Sequence, residues 1–149
     1  RQVTLLDGVS VEDDIRAQHV GSAASTVSRY KQVRRFLVRR QQELAAAQSM
    51  IIDGRDIGTV VLPNAPVKIF LTASAEERAR RRYEQTRDSQ PGTTFEQVLH
   101  ELNLRDKQDR ERENDPLRQA EDAVLLDTTG FPFEQSVEAI MAIVEKVYG

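Results

Sequence analysis

Two charged segments of the chain hold side chains whose types and spacing could perform chemistry, and the first is MIIDGRD at residues 50–56. A carboxylate at the end of a buried aliphatic strand, here Asp53, can hold Mg²⁺ directly or through water. Gly54 allows the backbone to turn close to a ligand, and Arg55 presents a planar fork that suits a phosphate. Asp56 could accept hydrogen bonds from a sugar hydroxyl or orient Arg55. The alternative is an ordinary Asp-Gly turn with a surface ion pair.

The second segment is LRDKQDRER, in which Arg105, Asp109 and Arg112 recur at positions i, i+4 and i+7. On a helix this spacing places two guanidinium groups and one carboxylate on the same face. Such a face could bind an anionic, hydroxyl-bearing ligand, with the carboxylate holding both forks when the site is empty. A solvated helix crossed by salt bridges is the alternative, because Asp106 and Arg110 also stand at i and i+4.

A third basic cluster, RARRR at residues 78–82, lies shortly before the polar stretch DSQPGTT at residues 88–94. Arginines beside a flexible segment suit a lid that closes over phosphates, although a solvated helix face has the same composition. The pattern GxxxxGK[ST] occurs nowhere in the 149 residues, so they contain no loop of that type to cradle a nucleotide triphosphate. The sequence therefore indicates binding of an anionic ligand without its own donor loop.

The composition restricts the class of protein. With 149 residues, of which 39% are hydrophobic and 30% charged, the chain fits one globular domain or a piece of a larger one. A formal net charge of −3 and 5% aromatic residues argue against a nucleic-acid-binding surface. The absence of cysteine excludes disulfides and thiolate zinc sites and favours a reducing compartment. No apolar stretch approaches the roughly 20 residues of a membrane helix, so we expect a cytoplasmic protein with no membrane partner.

Hydrophobic periodicity and capping residues predict the elements that position these groups. Asp7 and Gly8 between two short β-prone runs predict an antiparallel hairpin at the start of the chain. A short helix follows, and the spacing of apolar residues then predicts one long amphipathic helix over residues 25–48. Ser74 and Thr94 are the predicted N-caps of two further helices.

Three apolar runs predict strands, at residues 49–53, 67–73 and 123–129. Apolar strands that alternate with helices of ten or more residues indicate an α/β fold with a parallel sheet and helices on both faces. The first two strands should then be buried on both sides, and ligands should collect at the carboxyl ends of the strands. The last helix is predicted to turn four apolar side chains inward: Val137, Ile140, Met141 and Val144.

Five stretches of the sequence occur together: VEDDIRAQHVGSAAST, KQVRRFLVRRQ, IIDGRDIGTVVLPNAPVKIFLTASAEERARRRY, LRDKQDRERENDPL and AEDAVLLDTT. In this combination the chain resembles the bacterial cytidylate (CMP/dCMP) kinases over essentially all of its 149 residues. The resemblance implies a P-loop nucleoside-monophosphate-kinase-like fold, a parallel sheet flanked by helices. The fold is incomplete here, because the family's first βα unit, whose strand lies between those formed by IID and VKIFL, is absent from these residues. Residues 1–28 would be part of the NMP-binding region, and residues 29–149 the core of the kinase domain with a lid near residues 82–95.

The resemblance also implies phosphoryl transfer from ATP to CMP or dCMP with Mg²⁺, and it supplies roles for individual residues. Asp53 would be associated with Mg²⁺, and Arg55 would bind the acceptor phosphate. Arg81 would be the lid arginine on the transferring phosphate, and Arg16 is a further candidate for the substrate site. The residues implied at the nucleoside, with roles interchangeable within the set, are Ser25, Arg34 and Arg112 for cytosine and Asp56, Arg105 and Asp109 for the ribose.

Three alternatives stay open on the sequence. The chain could be a fragment that binds a pyrimidine monophosphate without transferring a phosphate, since it has no donor loop. It could belong to a related kinase that accepts UMP or AMP, or it could use its arginine-rich helices as a nucleic-acid-binding or scaffold surface. Because unpartnered parallel strand edges recruit other strands, we also expect the chain to pair with the absent N-terminal segment or with another copy of itself.

Overall fold

The computed structural model describes residues 3–16, 18–87 and 90–149, without the side chains of residues 16, 18, 19 and 22. The chain divides into two compact units, Arg1–Ser49 and Met50–Gly149. Each unit has its own secondary structure and is described by itself. In the part of the chain that the structure describes, no helix is both long and apolar enough to cross a membrane.

A β-hairpin opens the first unit. Strand β1 (Leu5–Leu6) pairs antiparallel with β2 (Val9–Ser10), with Leu6 opposite Val9. The two residues between them have positive φ angles, 51° at Asp7 and 82° at Gly8. Positive φ at both central positions is the requirement of a type I′ turn, whose twist matches that of the paired strands. The predicted Asp-Gly hairpin is confirmed, with shorter strands than the β-prone runs indicated.

The rest of the first unit is helical. A short 3₁₀ turn, Asp14–Arg16, leads to helix α1 (Gln18–Val27), and helix α2 spans Lys31–Ala47. The prediction of one long helix over residues 25–48 is therefore wrong. The helix is interrupted at Tyr30, whose ψ angle of 120° is extended and cannot continue an α-helical hydrogen-bond series. The helical spacing of apolar residues continues across the interruption. A prediction from periodicity alone therefore treated the two helices as one.

The second unit contains a parallel pair of strands. Strand β3 (Ile69–Thr72) pairs with β4 (Val124–Asp127), in a register that places Thr72 opposite Asp127. The two apolar runs and the parallel pairing are as predicted. Both carboxyl ends lie at the same edge of this small sheet.

The strand predicted at residues 49–53 is wrong, because this segment has no strand conformation. Ile51, at its centre, is 100% exposed. A strand is held by hydrogen bonds to a neighbouring strand, and β3 and β4 pair with each other rather than with this segment. The prediction that such strands are buried on both faces is also wrong for β3, since Leu71 is 55% exposed.

Two helices of the second unit pack against each other and begin at the predicted caps. Helix α3 (Ala75–Thr86) starts at Ser74, whose hydroxyl accepts a hydrogen bond from the backbone N–H of Glu77 at 3.2 Å. Helix α4 (Phe95–Glu111) starts at Thr94 with a reciprocal capping box. The backbone N–H of Gln97 donates to the Thr94 hydroxyl at 3.3 Å, and the Thr94 N–H donates to the Gln97 side chain at 2.9 Å.

The last helix, α5 (Phe133–Tyr148), is only partly covered. Of the four apolar side chains predicted to point inward, Ile140 and Val144 are half-buried. Val137 and Met141 are 41% and 48% exposed, so the prediction is wrong for these two. An amphipathic pattern identifies the apolar face of a helix, and the burial of that face depends on the area of the sheet it can pack against. Two strands provide too little surface for the whole face.

Replacing Thr94 by alanine should lower the free energy of unfolding by about 1 kcal/mol, because α4 loses the side chain that satisfies an N–H group of its first turn. Urea denaturation of the chain and of Thr94→Ala measures the difference. Thr93→Ala is the matched control, since it deletes the same atoms from a neighbour whose only hydrogen bond within the described residues is made by its backbone. Equal losses in the two variants would contradict the capping role of Thr94.

Candidate functional site

The DGRD segment is fixed by a π-helical turn, Ile57–Val61, that directly follows it. The backbone carbonyl of Asp56 accepts from the N–H of Val61 at 3.2 Å, and Val61 is only 1% exposed. The turn is therefore anchored by a buried apolar side chain. A Cβ atom on Gly54 would lie 2.8 Å from Cγ1 of Ile57, so glycine is needed here for close packing within the segment itself.

Asp109 of α4 is the centre of the charged cluster. Its Oδ2 atom accepts a hydrogen bond from Nε of Arg55 at 2.8 Å and lies 4.0 Å from Nε of Arg105. Asp109 is 8% exposed as a residue, whereas the side chains of Arg55 and Arg105 are 43% and 52% exposed. One nearly buried carboxylate thus holds two guanidinium groups whose outer surfaces face solvent.

Arg112 carries the third guanidinium group of the cluster. Its terminal nitrogen NH2 lies 3.5 Å from Oδ1 of Asp56, and its Nε donates to the backbone carbonyl of Asp115. The same NH2 atom is buried and has no hydrogen-bond partner among the described residues. A buried donor without an acceptor is costly unless something else supplies the acceptor. This atom is therefore well suited to donate to a ligand oxygen or ring nitrogen.

The structure thus brings together five of the residues that the sequence indicated. They come from two segments about 50 positions apart and form alternating charges, three arginines with two aspartates. The sequence placed Arg105, Asp109 and Arg112 on one helix, but α4 ends at Glu111 and Arg112 is its C-cap, with an extended ψ angle of 141°. In the structure the direct hydrogen bond of Asp109 comes from the loop arginine. The five residues are Arg55, Asp56, Arg105, Asp109 and Arg112.

Helix α4 is also tied to helix α3 by an ion pair. Arg78 donates from NH1 and NH2 to the two carboxylate oxygens of Asp106, at 3.1 and 2.7 Å, and from Nε to the carbonyl of Ala73 at 2.9 Å. The i, i+4 spacing had suggested Arg110 as the partner of Asp106, and that suggestion is wrong. Intrahelical spacing could not reveal a partner on another helix. A cavity of about 430 Å³ between the end of β3 and these helices is lined in part by Ser74, Arg78, Asp106, Lys107 and Arg110.

Arg81, the predicted lid arginine, contacts the loop after β4. It donates to the carboxylate of Glu77 at 3.0 Å and to the carbonyls of Thr128 and Phe131 at 2.8 and 3.2 Å. Its side chain is 37% exposed. Contact with a transferring phosphate would require Arg81 to exchange some of these bonds, and the role remains a prediction.

Hydroxyl groups link the carboxyl ends of the two strands. Thr128 is 3% exposed, and its hydroxyl donates to the carbonyl of Thr72 at 3.1 Å. The hydroxyl of Thr129 accepts from the N–H of Ser74 at 2.8 Å and donates to Oδ1 of Asp127 at 2.6 Å. The two hydrogen bonds from Thr129, through its hydroxyl and its N–H, lower the pKa of Asp127. The sequence predicts that ligands collect at this edge of the sheet, and it does not identify this network.

The remaining predicted site residues, apart from Asp53, lie on other segments of the chain. Ser25 lies on α1 and Arg34 on α2, both in the first unit, and Arg34 is buried at 9% exposure. The side chain of Arg16 and residues 88 and 89 of the predicted lid lie outside the described residues. Asp53 is exposed and makes no hydrogen bond or ion pair in the described structure.

Among the described residues, no group of three or more acidic or histidine side chains could hold a metal ion. Asp53 is instead a single free carboxylate beside the cluster's Arg55. Mg²⁺ commonly binds through one or two carboxylates together with waters and substrate phosphates. The donor set at Asp53 therefore fits a magnesium ion that is held mainly by water and phosphate.

Arginine forks interleaved with carboxylates, on helices and loops beside a parallel sheet, are typical of α/β proteins that bind phosphorylated small molecules. The comparison with known proteins identifies the family within that class. The sequence model described as cytidylate kinase matches residues 1–146. The chain belongs to the cytidylate kinase family, and the resemblance seen in the sequence is confirmed.

The relatives share nearly half of their aligned residues with this chain. The cytidylate kinase of Thermosipho africanus (strain TCF52B) is 48% identical over 139 residues, which cover 93% of this chain and 63% of that protein. The cytidylate kinase of Caldicellulosiruptor bescii is 46% identical over 147 residues, covering 99% and 65%. That of Pseudomonas fluorescens is 48% identical over 141 residues, covering 95% and 62%. The chain thus spans less than two thirds of the length of these relatives.

Replacing Thr129 by valine should raise the pKa of Asp127 towards its ordinary value of 3.8, because the carboxylate loses the hydroxyl that donates to it. A depressed pKa stabilises the fold above the ordinary value, and this stabilisation is lost as pH falls through the lowered pKa. An NMR titration of the Asp127 carboxyl carbon measures the shift. Thr129→Ser keeps the hydroxyl and is the control. A pKa of Asp127 that is the same in both variants would contradict this hydrogen-bond assignment.

Proposed function

We propose that this chain is the acceptor-binding part of a cytidylate kinase, with CMP or dCMP as its ligand. The single observation that carries the proposal is the convergence of the three arginines and two aspartates around Asp109 and Asp56. In the whole protein, with the nucleoside-monophosphate-kinase fold that the family implies, the reaction would transfer a phosphoryl group from ATP to the bound monophosphate. The products would be ADP and CDP or dCDP.

The acceptor phosphate is proposed to bind at Arg55. Nε of Arg55 is held by Asp109, and its terminal nitrogens make no hydrogen bond within the described residues. A fork fixed at one edge with its donors free at the other is preorganised for bidentate contact with phosphate oxygens. Arg105 and Asp109 would then contact the ribose side, since hydroxyl groups can both donate and accept.

The base is proposed to be recognised by Arg112 with Ser25 and Arg34. Cytosine offers a carbonyl oxygen and a ring nitrogen as acceptors and an amino group as donor, whereas uracil has a protonated ring nitrogen and a second carbonyl. The buried NH2 of Arg112 lies 3.5 Å from Asp56 and makes no hydrogen bond within the described residues, which supports an acceptor on the ligand. A mismatched buried polar group costs roughly 1–3 kcal/mol, which gives about tenfold or greater discrimination.

Mg²⁺ would be held at Asp53, through water, and would neutralise charge on the phosphates when bound. Phosphoryl transfer needs little covalent help from the protein, so positioning and charge stabilisation provide most of the rate. The residues of this chain would orient the acceptor, and Arg16 and Arg81 are proposed as further cationic contacts. Residues 1–28 would belong to the NMP-binding region, and a lid near residues 82–95 would exclude water.

These 149 residues contain no phosphate loop, so donor binding would require the first βα unit of the family fold. Each strand of the described β3–β4 pair has one unpaired edge and Leu71 of β3 is exposed, which supports pairing with another segment. The chain alone is therefore proposed to bind the acceptor and to transfer no phosphate.

Calorimetric titration should show that the chain binds CMP at least about tenfold more tightly than UMP or AMP. Arg112→Lys should remove much of this preference, because an ammonium group cannot reproduce the geometry of the guanidinium donors. Arg118→Lys is the control, since Arg118 is exposed and makes no side-chain hydrogen bond or ion pair within the described structure. Equal affinity for the three monophosphates would argue for a different acceptor, and tighter binding of UMP or AMP would indicate a related kinase.

A coupled assay of ADP release with CMP, ATP and Mg²⁺ should show no turnover by the isolated chain above the rate without protein. Binding of CMP without turnover is the expected pair of results. Turnover at a rate typical of such enzymes, about 1–100 per second, would contradict the proposal that the donor site lies outside these residues. The control is the same assay after addition of a commercial nucleotide kinase, which shows that the reagents support phosphoryl transfer.

A further inference from the structure

We propose that the Arg78–Asp106 pair positions helix α4 so that Asp109 can hold Arg55. In this proposal Arg78 and Asp106 are positioning residues that act through the cluster and do not touch the ligand. The functional consequence rests on the proposed function, because it concerns the affinity for CMP. The structural part, the orientation of Asp109 towards Arg55, stands on the contacts alone.

The Arg78 guanidinium group is engaged on all three of its nitrogens. Two parallel hydrogen bonds, at 3.1 and 2.7 Å, join it to both oxygens of Asp106, and its Nε donates to the carbonyl of Ala73 at 2.9 Å. The side chains of Arg78 and Asp106 are 31% and 16% exposed, so water competes only weakly for these bonds. A bidentate fork restricts both distance and orientation. The pair therefore fixes one side of α4 to the end of β3 and to α3.

Asp106 is well placed to control the cluster, because Asp109 follows it by three residues on the same helix. Residues three apart on an α-helix differ by about 60° around the axis, so the side facing α3 and the side facing Arg55 are adjacent. A rotation of α4 by about 10° would move a side-chain tip, roughly 6 Å from the axis, by about 1 Å. The hydrogen bond from Arg55 to Asp109, now 2.8 Å, would then exceed hydrogen-bond length.

The other buried features of this helix pair do not restrict rotation in the same way. Ala79 of α3 and Val98 of α4 are buried at 0% and 6% exposure. Apolar contacts are non-directional and tolerate small rotations, whereas the fork does not. Val98 also lies two turns before Asp106, near the start of α4. The orientation of the cluster-bearing end is therefore controlled by the ion pair.

A matched control is available in the same unit. Lys68 donates to both carboxylate oxygens of Asp122, at 2.8 and 2.6 Å, just before β3 and β4 begin. This pair joins the amino ends of the two strands and has no contact with α4 in the described structure. Replacing Asp122 by asparagine removes a charge from an ion pair of similar length, in which a single lysine nitrogen makes the contact and Asp122 is 65% exposed. The comparison of Asp106→Asn with Asp122→Asn therefore separates loss of position from loss of stability.

The first experiment needs no ligand. NMR of the complete chain, labelled with ¹⁵N, follows the Arg55 Nε–H signal, whose hydrogen bond to Asp109 should slow its exchange with water. We expect about tenfold faster exchange in Asp106→Asn and Arg78→Ala, and unchanged exchange in Asp122→Asn. An unchanged Arg55 signal in both Asp106→Asn and Arg78→Ala would overturn the proposal, whatever the result with CMP.

The second experiment measures CMP affinity by calorimetry, at a temperature below the unfolding midpoint of every variant. Asp106→Asn and Arg78→Ala should bind CMP about tenfold more weakly, and Asp122→Asn should bind like the parent. The reversed pair, Arg78→Asp with Asp106→Arg, should recover most of the affinity. Weakened binding that the reversal does not recover, or a lower midpoint with unchanged affinity, would overturn the proposal.

The proposal can still be tested if Arg78→Ala does not fold or if the parent chain does not bind CMP. If Arg78→Ala does not fold, Arg78→Lys replaces it, since lysine keeps the charge but provides only a point contact. This variant should show an intermediate change in both measurements, and parent-like values in both would overturn the proposal. If the parent chain does not bind CMP at all, the proposed function fails, while the Arg55 exchange still decides whether the pair positions α4.

Discussion

The buried carboxylate of Asp109 is the interaction on which the candidate site depends. Two guanidinium groups repel each other when they are brought to the same place, and the repulsion is stronger where water is partly excluded. Asp109 accepts a hydrogen bond from Arg55 and lies 4.0 Å from Arg105, so one negative charge stabilises both cations. Asp56 provides a second negative charge, 3.5 Å from Arg112. The alternation of charges allows three arginines to share one surface before any ligand is present.

The elements around the cluster explain how two distant segments keep this geometry. The DGRD segment is anchored by a π-helical turn and the buried Val61, and α4 is anchored by the fork between Arg78 and Asp106. Neither anchor belongs to the sheet. This is consistent with a chain of the cytidylate kinase family whose described sheet has only two paired strands in its second unit. The cluster can therefore be formed although apolar side chains of β3 and α5 remain exposed.

Local features could be predicted well from the sequence. The hairpin turn at Asp7 and Gly8 and the caps at Ser74 and Thr94 depend on residues within a few positions of each other. Their physical causes, positive φ and unsatisfied N–H groups, are visible in short windows of sequence. The predictions that were wrong depend on partners elsewhere in the chain. The strand at residues 49–53 lacks a neighbour to pair with, and the long helix at residues 25–48 is broken at Tyr30 by a turn that apolar spacing does not reveal.

By itself, the sequence determined which side chains could form a phosphate-binding cluster and the family to which they belong, because residue types and their spacing are local properties. Only the tertiary structure decided the pairing. It gave Asp109 a hydrogen bond from an arginine 54 positions away, in addition to its 4.0 Å ion pair with Arg105, and it paired Asp106 with an arginine 28 positions away rather than with Arg110. The physical reason is that the strength of an ion pair depends on the distance between the charges and on their burial in the folded chain. Many pairings are compatible with the same spacing of charged residues along the sequence.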